Sequence, residues 1–330
     1  MVSISEIKAS NARITAETAP QTAVFTGATD GIGRATLTRL ILTRAPVKVY
    51  VIGRNGEKHQ AFLDGLRQSN KQAQIIWLEG QLSLLAETRR LCDDIKARET
   101  YIDTLYMSAG FITSGERVET SEGHSLSQSL TYYGRMLMMF QLLPLLNASP
   151  NNPRVVSVLA AGTETASIYL DDLDLKQPGH FGLMSVSRSL SSYTTLSMSR
   201  LAKENPHVVF LHHYPGGVDT GVFKKAWGNK WYWPMMSPML STFATSPEDA
   251  GEKILYLITS AKYGGKGVSL GAGSRPGLTM AKTKQTGALF LINDKVKELD
   301  QEKVMLQLKE MNAGDIIWRK LIETVGPYSS

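Results

Sequence analysis

Three glycines near the start of the chain have the spacing of a phosphate-binding turn. Gly27, Gly31 and Gly33 lie in TGATDGIGRA, after a short apolar run and before a segment with helical periodicity. Glycine at these places allows a tight turn, close approach of the backbone to a diphosphate, and close packing of the helix on the sheet. The first N–H groups of that helix would face the phosphates. The pattern predicts a dinucleotide cofactor; the alternative is an ordinary glycine-rich strand-to-helix turn.

The end of the second predicted strand indicates which dinucleotide binds. Sites for NAD typically carry an acidic residue here, which binds the ribose 2′-hydroxyl. This chain has Gly53, Arg54 and Asn55 instead. An arginine at this position can pair with a 2′-phosphate, a charge-assisted contact worth roughly 1.5–3 kcal/mol. We therefore expect Arg54 to favour NADP; the alternative is a solvated loop arginine.

Short apolar runs alternate with helix-length segments throughout the chain. The predicted strands, rich in Val, Ile and Tyr, lie at 22–27, 47–53, 73–80, 102–110, 153–160, 207–217 and 265–273. Helical patterns lie between them at about 32–43, 57–69, 83–99, 121–147, 183–204 and 247–261. This alternation predicts an α/β fold with a doubly wound parallel sheet and helices on both faces. Residues 1–330 are expected to form a single domain, with a leader at 1–20 and a C-terminal helical extension at 283–330.

Further motifs follow the fourth and sixth predicted strands. These are YMSAG at 106–110 and YPGGVDTG at 214–221. Two further segments, RLAKENP before the sixth predicted strand and SPEDAGEKI after the segment 221–245, also lie where the family described next has comparable segments. Together with TGxxxGIG, they resemble the short-chain dehydrogenase/reductase family over nearly the whole chain. The opening SEIKASNARI looks like a fungal branch of that family common in secondary-metabolite pathways. The resemblance implies a Rossmann-type fold with NAD(P) lying across the carboxyl ends of the strands.

The resemblance also implies which residues contact the cofactor. The glycine turn would hold the diphosphate, the segment after the fourth strand would line the adenine ribose, and the segment after the sixth would touch the nicotinamide. The residues for the diphosphate are Gly27, Thr29, Asp30, Gly31, Ile32 and Gly33. Those for the adenine ribose are Ser108, Ala109 and Gly110, and those for the nicotinamide are Pro215, Gly216, Val218 and Thr220. Gln81 stands where the family usually places an acidic residue that binds adenine.

The catalytic set of the family is absent. Ala160 replaces its serine and Thr131 its asparagine, while its YxxxK pair falls on Ser187 and Ser191. In conventional members the tyrosine transfers the substrate proton, the lysine lowers the pKa of that tyrosine, and the serine polarises the carbonyl. A positioned acid contributes about 10²–10⁴ in rate, and a serine hydroxyl is far less acidic than a phenol. We therefore expect slow hydride transfer, or a different proton donor or reaction.

Thr131, Ser187 and Tyr193 are the candidates for the catalytic role. Tyr193 lies on the same predicted helix as Ser187 but about 120° around it, so core packing is its alternative. The weaker candidates, each with a structural alternative, are Tyr132, Tyr133, Tyr169, His180, His212 and His213.

The segment 221–245 is predicted to form a lid over the substrate. It contains KKAWGNKWYWPMMSPML, with Trp227, Trp231 and Trp233 and three methionines, and such side chains provide adaptable apolar contact. The alternatives are packing on its own domain, a subunit contact or a membrane-surface contact. The sequence thus predicts an NADP-dependent oxidoreductase of fungal secondary metabolism that acts on a bulky apolar small molecule. A non-redox isomerase, cyclase or lyase, or a protein without catalysis, are the alternatives.

Composition excludes several other classes of function. The chain has 330 residues, of which 42% are hydrophobic, and a net charge of +6. The basic residues are scattered, which argues against nucleic-acid binding. Cys92 is the only cysteine, so no intrachain disulfide is possible, and its acidic neighbours predict an inert thiol. No apolar signal segment and no run of about 18 apolar residues occurs, so we expect a cytoplasmic protein without stable membrane insertion; a homo-oligomer is compatible with the sequence.

Overall fold

A parallel sheet of seven strands forms the centre of the structure, a computed structural model that describes residues 2–113, 115–151, 153–229, 235, 244–264, 267–269 and 288–329. The strand order is β3-β2-β1-β4-β5-β6-β7. The strands are β1 (Thr22–Thr26), β2 (Lys48–Gly53), β3 (Gln74–Glu79), β4 (Thr104–Met107), β5 (Arg154–Val158), β6 (Val209–His213) and β7 (Leu289–Ile292). Every neighbouring pair is parallel. The predicted doubly wound α/β fold is confirmed.

Helices cover both faces of the sheet. They are α1 (Ile4–Asn11), α2 (Gly31–Leu42), α3 (Gly56–Ser69), α4 (Leu85–Lys96), α5 (Leu126–Gln128), α6 (Gly134–Asn147), α7 (Leu183–Glu204), α8 (Val222–Trp227), α9 (Pro247–Thr259), α10 (Glu302–Glu310) and α11 (Ala313–Val325). A short π-helix, Ser129–Tyr133, joins α5 to α6. Among the described residues, no helix combines the length and the apolar character that crossing a membrane requires.

The core consists of two hydrophobic clusters, one on each face of the sheet. Successive side chains of a strand point to opposite faces, so Val24 belongs to the cluster beneath α4, α6, α7, α10 and α11, whereas its neighbour Phe25 belongs to the cluster beneath α1, α2, α3 and α9. Cys92 lies in the first cluster, and burial raises the pKa of its thiol to about 12. The thiol is therefore protonated at neutral pH and buried.

The site-bearing edge of the sheet follows from the strand order. The chain runs outward from β1 to β2 and β3, then crosses to β4 on the other side of β1. In such sheets the crevice at the carboxyl ends, where the order reverses, is the place where ligands bind. The loops after β1 and β4 therefore define the centre of the candidate site.

The described sheet takes its seventh strand from a segment other than the predicted one. The predicted strand at 265–273 lies partly outside the described residues, and its described part, 267–269, makes only an isolated bridge between Val268 and Ser260. The seventh strand is instead Leu289–Ile292, within the predicted C-terminal extension. All four of its residues are buried beside β6. The apolar run LFLI can be buried on both faces, whereas GKGVSLGAG offers few apolar side chains.

The predicted leader contains a docked helix. Helix α1 begins with a capping box between Ser3 and Glu6. Ile7 is 1% exposed in the cluster beneath α2 and α9. At the end of α1, the side-chain amide of Asn11 donates to the carboxylate of Glu252 (2.6 Å) and to its backbone carbonyl (2.9 Å). Apolar and polar contacts together hold α1 against α9.

The loop between β4 and α5 is anchored by a carboxylate that caps a helix. No side chain of its own N-terminal segment caps α4. Glu122 does so from the loop, because its carboxylate accepts from the N–H groups of Leu85 (2.6 Å) and Ala86 (3.0 Å). The negative charge also meets the positive end of the helix dipole. This contact fixes the loop that forms one wall of the cleft described below.

We predict that Glu122→Ala lowers the free energy of unfolding by about 1–2 kcal/mol, because two N–H groups at the start of α4 lose their acceptor. Urea unfolding followed by circular dichroism measures this change. Glu116 lies in the same loop and is exposed, so Glu116→Ala is the control and should change stability by less than about 0.5 kcal/mol. Equal effects of the two substitutions would contradict the assigned cap.

Candidate active site

A cleft of about 810 Å³ opens at the carboxyl ends of the strands. Its walls come from the turns after β1 to β6 and from the first turns of α7 and α8. Most of the residues predicted to bind the cofactor line this cleft: Gly27, Thr29, Asp30, Gly31, Ile32, Gly33, Arg54, Gln81, Ser108, Ala109, Gly110, Pro215 and Thr220. Residues far apart in sequence thus come together as the motifs predicted.

The glycine turn has no space for side chains. Gly27 has a φ of +74°, and a Cβ on it would lie 2.4 Å from the backbone nitrogen of Ala109. A Cβ on Gly33 would lie 2.3 Å from the carbonyl oxygen of Gly27. On Gly31 it would lie 2.8 Å from the side chain of Thr220. The turn is therefore bare backbone at the mouth of the cleft, as a diphosphate site requires.

The start of α2 supplies groups that suit an anion. In the described part of the chain, the N–H groups of Ile32 and Gly33 have no hydrogen-bond acceptor. Asp30 caps the helix by accepting from the N–H of Gly31 (2.8 Å) and pairs with Lys225 of α8 (2.5 Å). Partial burial would raise the pKa of Asp30, but hydrogen bonds from Lys225 and Gly31 outweigh it and lower that pKa. Lys225 thus places a positive charge beside Asp30 at the start of α2, and the sequence motifs did not indicate this residue.

Arg54 lies where a 2′-phosphate-binding residue should be. Its side chain is exposed at the wall of the cleft, and no hydrogen bond or ion pair ties it to the rest of the described chain. Gly53 precedes it and also lines the cleft, so no carboxylate stands at the end of β2. Gln81 lines the same end and donates to Ser83 (3.0 Å). The residues at this end fit a phosphorylated adenosine.

Two residues predicted to touch the nicotinamide do not line the cleft. Val218 is 3% exposed and forms an isolated bridge with Thr245. Gly216 has a φ of +74° and packs closely against Asp294. The left-handed turn at Gly216 directs this part of the segment into the protein, while Pro215 and Thr220 remain in the cleft wall.

Of the three catalytic candidates, Thr131 and Ser187 line the cleft. The hydroxyl of Thr131 donates to the carbonyl of Ser127 one helical turn earlier (2.6 Å) and is therefore engaged. Ser187, in the second turn of α7, is partly exposed, and its hydroxyl has no hydrogen-bond partner within the described residues. It is the candidate whose hydroxyl is free to meet a substrate.

The prediction for Tyr193 is wrong. Tyr193 does not line the cleft; it is 1% exposed, its hydroxyl points to the carbonyl of Leu173 (3.5 Å), and its ring packs against Tyr132. Burial raises the pKa of its phenol above the usual value. The helical offset from Ser187 explains the placement, because it turns Tyr193 away from the cleft and into the core.

The weaker proton-donor candidates also have structural partners away from the cleft. Tyr132 is bonded to Ser197 (2.8 Å) and Tyr133 to Asp174 (3.2 Å). His180 is bonded to Asp172 (2.8 Å), and its ring stacks on Tyr169 with 3.6 Å between centroids. Burial lowers the pKa of His212 and of His213 to about 3, so both imidazoles are neutral at physiological pH.

A buried polar network lies behind Ala160. His212 Nε2 accepts from the N–H of Ala160 (3.4 Å), so the proton belongs on Nδ1, which donates to Thr195 (2.9 Å). The Thr195 hydroxyl then donates to Glu164 (2.7 Å), whose pKa burial raises. Ser191 donates to the carbonyl of Ala160 (2.7 Å) and also lies 3.2 Å from Glu164. Ser191, the position that the resemblance assigns to the family's lysine, is thus part of this network.

Arg135 is a site residue that the sequence motifs did not reveal. Its side chain is 5% exposed and lines the cleft. Nη1 donates to Ser157 Oγ and Val158 O, both at 2.8 Å, and Nη2 donates to Ala109 O at 2.8 Å. Among the described residues Nε has no partner. Burial lowers the pKa of Arg135 to about 10, so at neutral pH the cleft floor between β4 and β5 carries a fixed positive charge.

A signal for Arg135 exists in the sequence. It is a lone charge in the apolar stretch GRMLMMFQLL and follows Thr131 by four residues. Residues four apart lie on the same face of a helix, so Arg135 shares the cleft-facing side with Thr131. A single charged residue in an apolar helix does not by itself distinguish a site residue from one that is bonded within the core.

The other end of the cleft is apolar. Its lining includes Phe111, Ile112, Leu126, Leu130, Leu159, Leu183, Val186 and Leu190. Phe111 is 40% exposed at the mouth of the cleft, and Met184 next to Leu183 is 58% exposed. Val222, Lys225 and Ala226 of the predicted lid also line the cleft. Trp231, Trp233 and the side chain of Trp227 lie outside the described residues.

Comparison with known proteins gives the same family as the motifs. The family model described as short chain dehydrogenase matches residues 21–167. The NmrA-like family domain-containing oxidoreductase notO of an Aspergillus species is 34% identical, over 97% of this chain and 93% of that protein. The oxidoreductase AN1596 of Emericella nidulans is also 34% identical, over 96% of each chain.

A solved structure shares the fold. The short-chain dehydrogenase of Sphingobium yanoikuyae, solved in complex with NADPH, has a TM-score of 0.53 and 17% identity, and the match covers 71% of this chain and 82% of that one. The glycine turn, the switch point between β1 and β4, and relatives matched over nearly the full length agree: the chain belongs to the short-chain dehydrogenase family.

Proposed function

We propose that this chain is a cytoplasmic NADP(H)-dependent oxidoreductase of fungal secondary metabolism, and that it interconverts a carbonyl group and an alcohol on a bulky apolar small molecule. The observation that carries the proposal is a cleft with two different ends. One end combines the bare glycine turn with Arg54, and the other is lined by leucines. The fungal relatives that carry the name oxidoreductase support the reaction class.

The phosphorylated cofactor is proposed from charge. The Arg54 guanidinium and the N–H groups of Ile32 and Gly33 have no partner in the described part of the chain and give one wall a positive potential, whereas the charge of Lys225 is offset by Asp30. The absence of a carboxylate at Gly53 removes the usual acceptor for a ribose 2′-hydroxyl. The NADPH complex of the Sphingobium yanoikuyae protein is consistent with this reading.

The mechanism at this site rests on Ser187 and Arg135. When bound, NADPH supplies the hydride. Arg135 provides a fixed positive charge in the floor of the cleft that stabilises negative charge developing on a substrate oxygen. The free Ser187 hydroxyl can pass a proton between water and that oxygen. Because serine is a weak acid, this step is slower than with a positioned phenol.

A second candidate function is a non-redox isomerisation, cyclisation or elimination in the same cleft. One observation favours it: among the described residues that line the cleft there is no tyrosine, and no lysine other than Lys225 on the lid. In that reaction Arg135 would act on an enolate or a similar anion, and NADPH would not be consumed. Following the cofactor during turnover separates the two reactions.

We predict that the protein binds NADPH at least about 10-fold more tightly than NADH, since the Arg54–phosphate contact contributes roughly 1.5–3 kcal/mol. Arg54→Ala should remove most of this preference. Isothermal titration calorimetry with both nucleotides measures it. Arg319 is an exposed arginine of α11, so Arg319→Ala is the matched control and should leave both affinities unchanged. Equal affinities for NADPH and NADH in the parent protein would refute the assignment.

We predict that the purified protein reduces simple ketones with NADPH at rates about 10²–10⁴ lower than a family member with the tyrosine, because Ser187 is a poor acid. Absorbance at the NADPH band follows the reaction. Ser187→Ala should lower the remaining rate further, whereas Arg188→Ala, at an exposed position on the same helix, should not. Rapid turnover that survives Ser187→Ala would show that another group donates the proton.

A further inference from the structure

The end of β2 is crowded on one side by a tryptophan. Trp77 of β3 lies next to Gly53, the last residue of β2, which pairs with Glu79 in the sheet. A Cβ on Gly53 would lie 2.6 Å from Cη2 and 3.2 Å from Cζ3 of the indole. Contacts of 2.6 Å between carbon atoms are far inside van der Waals distance. Any side chain at position 53 must therefore displace the ring.

The backbone of Gly53 does not itself require glycine. The glycines with positive φ in the described chain do not include Gly53. The methyl of Thr29, the other near neighbour, would lie 3.4 Å from a Cβ and tolerates it. Trp77 is thus the structural reason for glycine at this position.

The indole is held by more than one contact. A Cβ on Gly56 would lie 2.6 Å from its Nε1, so a second glycine of the same loop also makes room for the ring. The indole N–H donates to Glu79 (3.3 Å), and the same carboxylate accepts from the N–H of Gly56 (3.2 Å). The ring of His59 lies 5.9 Å away between centroids. Trp77 and Glu79 together brace the loop 53–56 that presents Arg54.

We propose that Trp77 is a specificity-determining residue that excludes an acidic side chain from position 53. The proposal rests on the proposed function, in which Arg54 selects the phosphorylated cofactor. An NAD site uses a carboxylate at the end of the second strand to bind the ribose 2′-hydroxyl, and Gly53 is the last residue of β2. By occupying that space, the indole leaves Arg54, directly after β2, as the charged group that the described loop 53–56 presents to the ribose. The choice between NADP and NAD then depends on Trp77 of β3, because its indole leaves no room for a side chain at position 53.

The first experiment measures crowding without any nucleotide. Gly53→Ala should lower the melting temperature by roughly 3–10 °C, because the new methyl overpacks against the ring. In a Trp77→Val background, which keeps a strand-forming residue, the same change should cost less than about 2 °C. Gly65 of α3 has open space around a built Cβ, so Gly65→Ala is the control and should not lower the melting temperature. Equal costs of Gly53→Ala in both backgrounds would overturn the proposal.

The second experiment measures specificity by calorimetry with NADH and NADPH. Gly53→Asp alone should not bind NADH more tightly than the parent does. Gly53→Asp with Trp77→Val should bind NADH at least about 10-fold more tightly than Gly53→Asp alone, as a charged hydrogen bond to the 2′-hydroxyl allows. Tight NADH binding by Gly53→Asp with the tryptophan present would overturn the proposal, as would a double variant that folds and gains none.

The two experiments fail in different ways. If the parent protein shows no preference for NADPH, the proposed cofactor is wrong, yet the stability coupling between positions 53 and 77 still tests the crowding. If the parent prefers NADPH but removing the indole does not release the cost of Gly53→Ala, Trp77 is not the determinant. A double variant that does not fold leaves the alanine series to decide.

Discussion

The close contact between two backbone segments at the centre of the sheet is the constraint on which the site depends. The turn after β1 packs directly against the segment after β4, and a Cβ on Gly27 would collide with the backbone of Ala109. A Cβ on Gly33 would collide with Gly27 and with the Ser108 hydroxyl. These contacts bring α2 close enough to the sheet for its first N–H groups to face the crevice. Without them the parallel sheet would keep its switch point but lose the close approach on which the proposed phosphate site depends.

The two ends of the cleft differ in how closely their residues match the pattern of the family. At the adenosine end the glycines, Arg54 and the free N–H groups have the forms that nucleotide binding requires. At the other end, a buried network of Glu164, Thr195 and His212 fills the interior behind Ala160. Buried polar groups are costly unless they are hydrogen-bonded, and here each member has a partner. Ser191, at the position of the family's lysine, belongs to this satisfied network through its bonds to Ala160 and Glu164.

The sequence predicted the fold, and it indicated that the glycine turn and the segment after β4 come together at one cleft, because both depend on local patterns. Strand and helix periodicity and glycine spacing are written in consecutive residues, and the sheet order follows from the crossover rule. The predictions that differ from the structure concern positions that depend on backbone conformation and packing between distant segments. Val218 turns away from the cleft because of the backbone conformation at Gly216, which family spacing does not encode. Tyr193 turns away because of the helical rotation from Ser187 that already made core packing its alternative. The described seventh strand, Leu289–Ile292, lies outside the predicted strand positions, because a run of four apolar residues does not by itself show whether it joins the sheet.

The position of Arg135 in the cleft is difficult to predict from the sequence. Its positive charge matters because it is buried between β4 and β5, and that burial depends on carbonyl groups that are not visible in any motif. In a low-dielectric cleft, a fixed charge acts on developing negative charge more strongly than it would in water. The hydride donor brings its own chemistry, so a protein that has lost its acid can still stabilise the charge that hydride transfer creates. The family's phenol and lysine perform protonation and charge stabilisation together. In the reaction proposed above, Ser187 and Arg135 divide the two tasks, and only the charge stabilisation is strong.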